Sequence, residues 1–485
     1  MRRLPLLALA LAALLAAVSA FALERERAGL EVRQMTLAGS PVTLLRPAGA
    51  GPTPLVVVAH GYAGSRQMMR AITTSLARAG FAVAAFDFEG HGRNPVPLAA
   101  DIASLEGATA RLVEQTLAVA RAARALPGVT GPTALVGHSM ATDVVIKAAK
   151  HLEVVSATVA ISMYSDAVTP EAPRRLLIVS GAREGRLREV ALGKVRQLDP
   201  AAREGETVER EGVLRRAVAA PFAGHVAVLY SPATLREVLA WVPGGKASAP
   251  SVMTGLWVAV LLVSVVALAW PLATALGPLR SSATSVSWRT ALIALAAPVL
   301  PSLGAAMLAP EGVLGVSAFG QVAGLLGVWG LVQIVVLRRA GRELGRVKVL
   351  PFLMFVGWSL LFALTLDWYG AAFLPVGPRL EIMGLMLLGT LPFIVGDALL
   401  TRGAGWGLRL AARVVPLAAL LGSMLLEPRM GIAFTVLPVM VLFWLVYGLA
   451  GRWVAARGGG GASAAGLGIA LAWAIAASTP MVAAG

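Results

Sequence analysis

Pro132-Thr-Ala-Leu-Val136 runs straight into Gly137-His138-Ser139-Met140-Ala141, after which the sequence takes up a helical pattern. A short apolar run of β type, a tight turn with serine at its tip, then a helix is the arrangement that lifts a hydroxyl above the edge of a sheet. A serine hydroxyl is a weak nucleophile until a neighbouring base takes its proton. The stretch therefore directs attention to histidines and carboxylates farther along the chain.

The alternation continues on both sides. Within residues 31–241, apolar runs at 55–59, 81–86, 134–136, 155–161 and 176–179 are separated by helix-length segments. Hydrophobicity that is continuous within each run predicts strands covered on both faces by helices, an α/β architecture. Residues 32–45 read as a leading antiparallel hairpin. A further apolar run at 217–222 precedes His225, and a helical segment follows at 231–241.

Four motifs stand in order at the strand ends: Val56-Val-Val-Ala-His60-Gly61-Tyr62, Asp87-Phe-Glu-Gly90-His91-Gly92-Arg93, Gly137-His-Ser-Met-Ala141 and Gly224-His225-Val-Ala-Val. On these motifs nearly all of residues 31–242 resembles the α/β-hydrolase family, particularly its serine-peptidase and lysophospholipase-like esterase branch. The resemblance implies Ser139 as nucleophile, His225 as its base and Glu184, three residues past Gly181, as the acid that orients the imidazole. Serine, then acid, then histidine is the family's chain order. It also implies an oxyanion hole built from the backbone N–H groups of Tyr62 and Met140. Asp166 and Asp199 are the alternative acids. His60, His91 and His138 are assigned to loop geometry, and Asp87 to side-chain bonds within its own turn. Two departures from the family pattern stand out. Ala141 replaces the last glycine of the turn, adding one methyl where close packing is usual. The segment from Ile161 to Arg174 is too short for a sizeable lid, so the site is expected to be open, or covered by the membrane surface or a loop such as 367–381.

Composition separates this region from the rest. Of the 485 residues, 57% are hydrophobic and 14% charged, too apolar for one soluble protein. The change falls at Pro243-Gly-Gly-Lys-Ala-Ser-Ala-Pro250, so the chain divides into 1–23, 24–242, a linker at 243–251, and 252–485. The net charge of +16 is spread as 26 Lys/Arg against 20 Asp/Glu in residues 24–250 and 14 against six in 251–485. No basic face interleaved with aromatic residues emerges, which argues against nucleic acid as a partner. Zero cysteines exclude disulfides and cysteine-based zinc sites. The reading calls for no cofactor and no metal.

Arg2-Arg3 followed by the apolar residues 4–23 is either a cleaved signal sequence, with Ala20-Phe21-Ala22 at the cleavage site, or an uncleaved anchor. After the linker, eight spans are expected near 252–274, 291–309, 313–337, 349–366, 382–400, 410–426, 431–449 and 464–483. If residues 24–250 lie outside, the cytoplasmic loops are 275–290, 338–348, 401–409 and 450–463. These carry Arg280, Arg289, Arg338, Arg339, Arg342, Arg346, Lys348, Arg402, Arg409, Arg452 and Arg457, while the outer loops carry only Arg379 and Arg429. That asymmetry is the positive-inside pattern. Gln321, Gln333 and Asp397 are the polar residues within the spans. Asp397 is read as solvated near a cytoplasmic end, without an intramembrane cation as partner, and Arg413 as lying in the first turn of the sixth span. Seven prolines (Pro271, Pro298, Pro301, Pro351, Pro392, Pro416 and Pro438) predict kinks.

The expectation is an α/β-hydrolase sheet domain followed by an all-α polytopic transmembrane domain. It would be a serine hydrolase in a bacterial inner membrane, its sheet domain periplasmic, acting on an ester or lipid-like small molecule or on an acylated envelope component. Amide or peptide hydrolysis is the alternative. A catalytically silent sensor and a transporter-associated protein are the rivals from other classes. The lipid bilayer is the one partner expected, and the sequence leaves the oligomeric state open.

Overall fold

The computed structural model describes residues 3–100, 105–246, 250–279 and 284–485. It divides into two compact units, one of residues 18–260 with 368–372, the other of 1–17, 261–367 and 373–485. Linker residues 247–249 and Arg280, the latter assigned to a cytoplasmic loop, lie outside the described residues.

The first unit holds the sheet. In chain order its elements are the end of helix α1 (Arg3–Arg25), β1 (Leu30–Leu37), β2 (Ser40–Pro47), β3 (Thr53–Ala59), α2 (Arg70–Arg78), β4 (Ala82–Phe86), α3 (Leu105–Arg124), β5 (Val129–His138), α4 (Met140–Ala149), β6 (Val155–Ile161), β7 (Arg175–Gly181), α5 (Gly185–Arg196), β8 (Thr207–Arg210), β9 (Val213–Ala220) and α6 (Pro232–Trp241). The nine strands are ordered β1-β2-β4-β3-β5-β6-β7-β9-β8. Strands β4, β3, β5, β6, β7 and β9 are mutually parallel, and antiparallel strands close both edges. The leading hairpin is present, pairing Leu30 with Pro47 through to Leu37 with Ser40.

Period-two alternation explains why the apolar runs are continuous. In β7, Leu177 and Val179 join the core that includes Leu76 of α2 and Leu235 of α6. Their neighbours Leu176 and Ile178 turn to the other face, against Ile146 of α4 and Val195 of α5. Each fully buried Leu, Ile or Val contributes about 1.5–3 kcal/mol, so a one-residue register slip, which would exchange the faces, is strongly disfavoured. Strand β8 has no counterpart among the predicted runs, and the run at 217–222 marks only the second half of β9. β8 is mostly exposed and β9 carries Arg215-Arg216, which interrupts the apolar signal. Arg215 is nevertheless buried, donating to the Lys194 carbonyl and the Gln197 side-chain oxygen, both at 2.8 Å.

The second unit is helical: α7 (Thr254–Thr274, of which 261 onward belongs here), α8 (Trp288–Ala296), α9 (Val299–Leu308), α10 (Phe319–Arg339), α11 (Val349–Tyr369, of which all but 368–369 belongs here), α12 (Pro378–Thr401), α13 (Trp406–Leu426), α14 (Val436–Ala455) and α15 (Gly460–Ser478). Counting α1 and taking α8–α9 as one, nine helices among the described residues are long and apolar enough to cross a membrane. Small residues let α10 and α12 approach closely. A Cβ on Gly330 would stand 2.1 Å from the Pro392 carbonyl carbon, and one on Gly389 would stand 2.5 Å from the Ala323 oxygen.

Three readings of this unit are corrected. Asp397 does have a cationic partner: its carboxylate pairs with Arg413, whose guanidinium lies 3.6 Å from the centre of the Trp444 ring. Helix α13 begins at Trp406 rather than near 410, so Arg413 lies in its second turn, within reach of α12. Finally, only Pro271, Pro392 and Pro416 are interior to helices, and Pro298 separates α8 from α9. Pro301, Pro351 and Pro438 stand third in their helices, where the missing N–H has no intrahelical partner to lose.

Candidate active site

Strand β5 ends at His138, helix α4 begins at Met140, and Ser139 makes the turn with φ 53° and ψ −120°. A non-glycine residue rarely adopts such a backbone. Here the neighbours enforce it, since the Ser139 N–H donates to the Ile161 carbonyl (2.9 Å) and its carbonyl accepts from the Thr142 N–H (2.9 Å). The close approach of strand and helix requires Gly137, where a Cβ would stand 2.5 Å from the Ala141 oxygen. Ala141 itself is fully buried, so its extra methyl is accommodated in the core.

The structure brings Ser139, His225 and Glu184 into one hydrogen-bonded chain. His225 Nε2 lies 2.8 Å from Ser139 Oγ, and His225 Nδ1 lies 2.5 Å from Glu184 Oε1. Glu184 follows β7 and His225 follows β9, neighbouring parallel strands, so the two loops emerge side by side. Burial raises the Glu184 pKa, but hydrogen bonds from Ser162 Oγ, the Gly181 N–H and His225 outweigh it and hold the carboxyl below its ordinary value. A carboxylate can only accept, so Nδ1 carries the ring proton and Nε2 is left to accept from Ser139. The arrangement can therefore take the hydroxyl proton and stabilise the imidazolium that results. The Glu184 side chain is 8% exposed and that of His225 49%, which makes the acid fixed and the base accessible.

The alternative acids are elsewhere. Asp166 is almost fully exposed near Lys194, and the Asp199 carboxylate accepts from the Ala201 N–H. Tyr62 and Met140 flank the serine: Gly61, before Tyr62, passes so close that a Cβ there would stand 3.0 Å from Ser139 Cβ. Burial pushes the Tyr62 phenol up to about 12.

The remaining histidines hold loops. His60 Nε2 accepts from the Phe88 N–H at 3.2 Å, so its Nδ1 donates to the Gly61 carbonyl at 2.8 Å. His138 has the opposite tautomer, because its Nε2 donates to the His225 carbonyl at 2.8 Å. Burial lowers both to about 4, so each is neutral at physiological pH. His91 Nδ1 lies 2.7 Å from the Glu89 carbonyl. Asp87 does accept from the Arg93 N–H within its own turn (2.9 Å), and it also takes the N–H (2.8 Å) and the guanidinium of Arg66.

Ser162 escapes a sequence reading. It follows β6 with φ 54° and donates its hydroxyl to Glu184 Oε2 at 2.7 Å. A single serine after an apolar run carries no signal of that role. Between it and β7, residues 163–174 contain no helix, so this segment forms no helical lid. Three exposed apolar side chains stand on the loops that bear the site: Tyr164, whose N–H donates to Thr142 Oγ1, and Phe222 and Val226 on either side of His225. Phe222 has φ 59° and is 87% exposed. Among the described residues, no group of three or more His, Asp or Glu is placed to hold a metal ion.

Residues 50–181, from before β3 to the end of β7, match the family model described as serine aminopeptidase, S33. The sheet unit is an α/β-hydrolase domain. Solved structures similar to it include TT1662 from Thermus thermophilus, at 21% identity over 44% of this chain and 96% of that one with a TM-score of 0.32. Dienelactone hydrolase from Anabaena variabilis is 17% identical over 45% of this chain and 100% of its own, with a TM-score of 0.34. Est1E from Butyrivibrio proteoclasticus, solved with ferulic acid bound, is 18% identical over 43% and 96%, with a TM-score of 0.33. No curated protein sequence matches the chain.

Proposed function

We propose that the protein is an integral membrane serine hydrolase that cleaves carboxylic esters through an acyl-enzyme on Ser139. The observation that carries the reading is the chain Ser139–His225–Glu184, with contacts of 2.8 and 2.5 Å. In the reaction, Ser139 Oγ attacks the ester carbonyl carbon as His225 Nε2 takes the hydroxyl proton. The backbone N–H groups of Tyr62 and Met140 receive the oxyanion. Collapse breaks the bond to the alcohol, which leaves with the proton from His225. Water then attacks the acyl carbonyl, giving its proton to His225, and Ser139 departs with that proton as the acid is released.

An apolar acyl group suits the rim formed by Tyr164, Phe222 and Val226, which leaves three apolar side chains in water around a half-exposed base. Nine membrane-length helices on the same chain favour a lipid or an acylated envelope component as the source of that group. The charge asymmetry of the loops supports a sheet domain on the outer side of a bacterial inner membrane. Amide or peptide hydrolysis is the second reading, and the description of the matching family model, serine aminopeptidase, favours it.

The test is labelling of membranes by a fluorophosphonate probe, comparing wild type with Ser139→Ala and His225→Ala. Labelling that vanishes in both variants at unchanged expression supports the activated serine. A folded wild type that takes no label overturns the mechanism and shifts attention to the sensor and transporter readings.

A further inference from the structure

The loop that carries Tyr62 is fastened from three directions. His60 holds its start through the Gly61 carbonyl, and Asp87 holds its end through the Arg66 N–H at 2.8 Å. Between them Ala63 has φ 55°, and the Gly64 N–H donates back to the Gly61 carbonyl at 3.0 Å, so the loop is a tight, strained turn. His60 and Asp87 both belong to the hydrolase motifs. The third fastening does not.

It comes from Trp368–Ala372, a segment more than a hundred residues beyond the rest of this unit. The Ala372 N–H donates to Ser65 Oγ at 2.9 Å in a buried contact. Ser65 is three residues past Tyr62, and its own carbonyl accepts from the Met68 N–H at 3.1 Å. Five residues on, Arg70 is almost fully buried. Its guanidinium donates to the Leu23 carbonyl at 3.0 Å and the Trp368 carbonyl at 3.5 Å, and lies 5.0 Å from the centre of the Tyr369 ring. Glu24 completes the cluster, 3.6 Å from Arg70 and accepting from Trp368 Nε1 at 3.2 Å. The segment is thus held at both ends, by Arg70 and by Ser65.

We infer that Trp368–Ala372 is a clamp on the oxyanion loop, and that Ser65, through its bond to the Ala372 N–H, is a positioning residue for the Tyr62 donor. The inference rests on the reading of Ser139 as nucleophile. Oxyanion donors act only when fixed close to where the charge develops, so loosening the clamp slows the chemical step and leaves binding of the ground state nearly unchanged. The apparent catalytic domain, 24–242, is then incomplete as a catalyst without a segment from the far side of the linker.

The experiment measures fluorophosphonate labelling of the full-length protein in membranes, separating the maximal rate constant from the half-saturating probe concentration. Ser65→Ala removes the acceptor and keeps the Cβ. Its maximal rate constant is expected to fall about fivefold, as for one hydrogen bond lost from a transition state, with half-saturation within about twofold of wild type. Ser65→Thr, which keeps the hydroxyl, is expected to restore most of the rate. A wild-type rate constant in Ser65→Ala overturns the clamp, as does a Ser65→Thr protein equally slow, because bulk rather than the bond would then matter. If Ser65→Ala does not accumulate, Arg70→Met releases the other end, and an unchanged rate constant there overturns the inference equally. Absence of any Ser139-dependent label in wild type would retire the nucleophile reading and the clamp with it. A labelled wild type with an indifferent Ser65 retires the clamp alone.

Discussion

The two units differ in where their buried polar groups lead. In the sheet unit, besides closed fastenings such as Asp87 on Arg66, one chain stays open: Ser162, the Gly181 N–H and His225 all donate to Glu184, and His225 accepts in turn from a serine hydroxyl beside an accessible ring. In the helical unit the charged groups named here are closed off: Asp397 on Arg413, and Arg379 on the carbonyls of Ala476 and Thr479. A relay that ends on an accessible atom is built to act on something else. A closed pair mainly removes the cost of burying its own members. The difference teaches that a buried charge alone does not distinguish a working site from a fastening; whether its chain of bonds ends on an accessible atom does.

The comparison breaks first at Glu184. Glu184→Gln removes the carboxylate that fixes the His225 tautomer, and ester turnover is expected to fall by roughly 10³–10⁴-fold with little change in thermal unfolding. Equal turnover would mean that the relay does not act as one. Next is the closed pair. Asp397→Asn strands Arg413 and should destabilise the helical unit by about 3–5 kcal/mol, read by thermal unfolding in detergent, while turnover below the transition stays at wild-type level. Turnover lost as steeply as in Glu184→Gln would make the pair part of a mechanism.

Ser162→Ala sharpens the contrast with a smaller effect. The Glu184 carboxylate loses a donor and its pKa rises, so the acidic limb of the pH–rate profile moves to higher pH with a few-fold loss of rate. Linkage gives the same sign for stability. A carboxyl held below its ordinary 4.5 contributes stability that is fully present above that pH and lost as pH falls through the folded-state value. In the variant the contribution is smaller and its loss is complete at higher pH. The smallest effect belongs to the rim: Phe222→Ser is expected to lower the preference for long over short acyl esters about tenfold at most, in line with the apolar area removed, and to leave acetyl ester turnover unchanged.

How much of this was legible in the sequence follows from how each feature is made. Ser139, Glu184 and His225 each follow an apolar strand, so the strands could be found and the residues after them read off. Ser162 also follows a strand, but one serine hydroxyl donating across a gap leaves no trace in spacing. The Asp397–Arg413 pair was hidden by an error of four residues in where α13 starts, enough to move Arg413 by a helical turn. The first half of β9 was hidden because Arg215, a charged residue, occupies a core position by donating to backbone carbonyls, and β8 because it is mostly exposed. The loop 367–381 is among the covers expected for the site, but that 368–372 is fastened to Ser65 and Arg70 left no mark in the sequence, since one backbone N–H and one carbonyl make those links.

That discontinuity bears on how the protein is made. The sheet unit spans residues 18–260 and is completed only by 368–372. At synthesis rates of about 5–20 residues per second, the intervening stretch takes roughly 5–20 s. During that interval Arg70 has no Trp368 carbonyl and Ser65 no Ala372 N–H. The hydrolase domain therefore leaves the ribosome unfinished, and its final piece arrives only after α7 to α11 have been made.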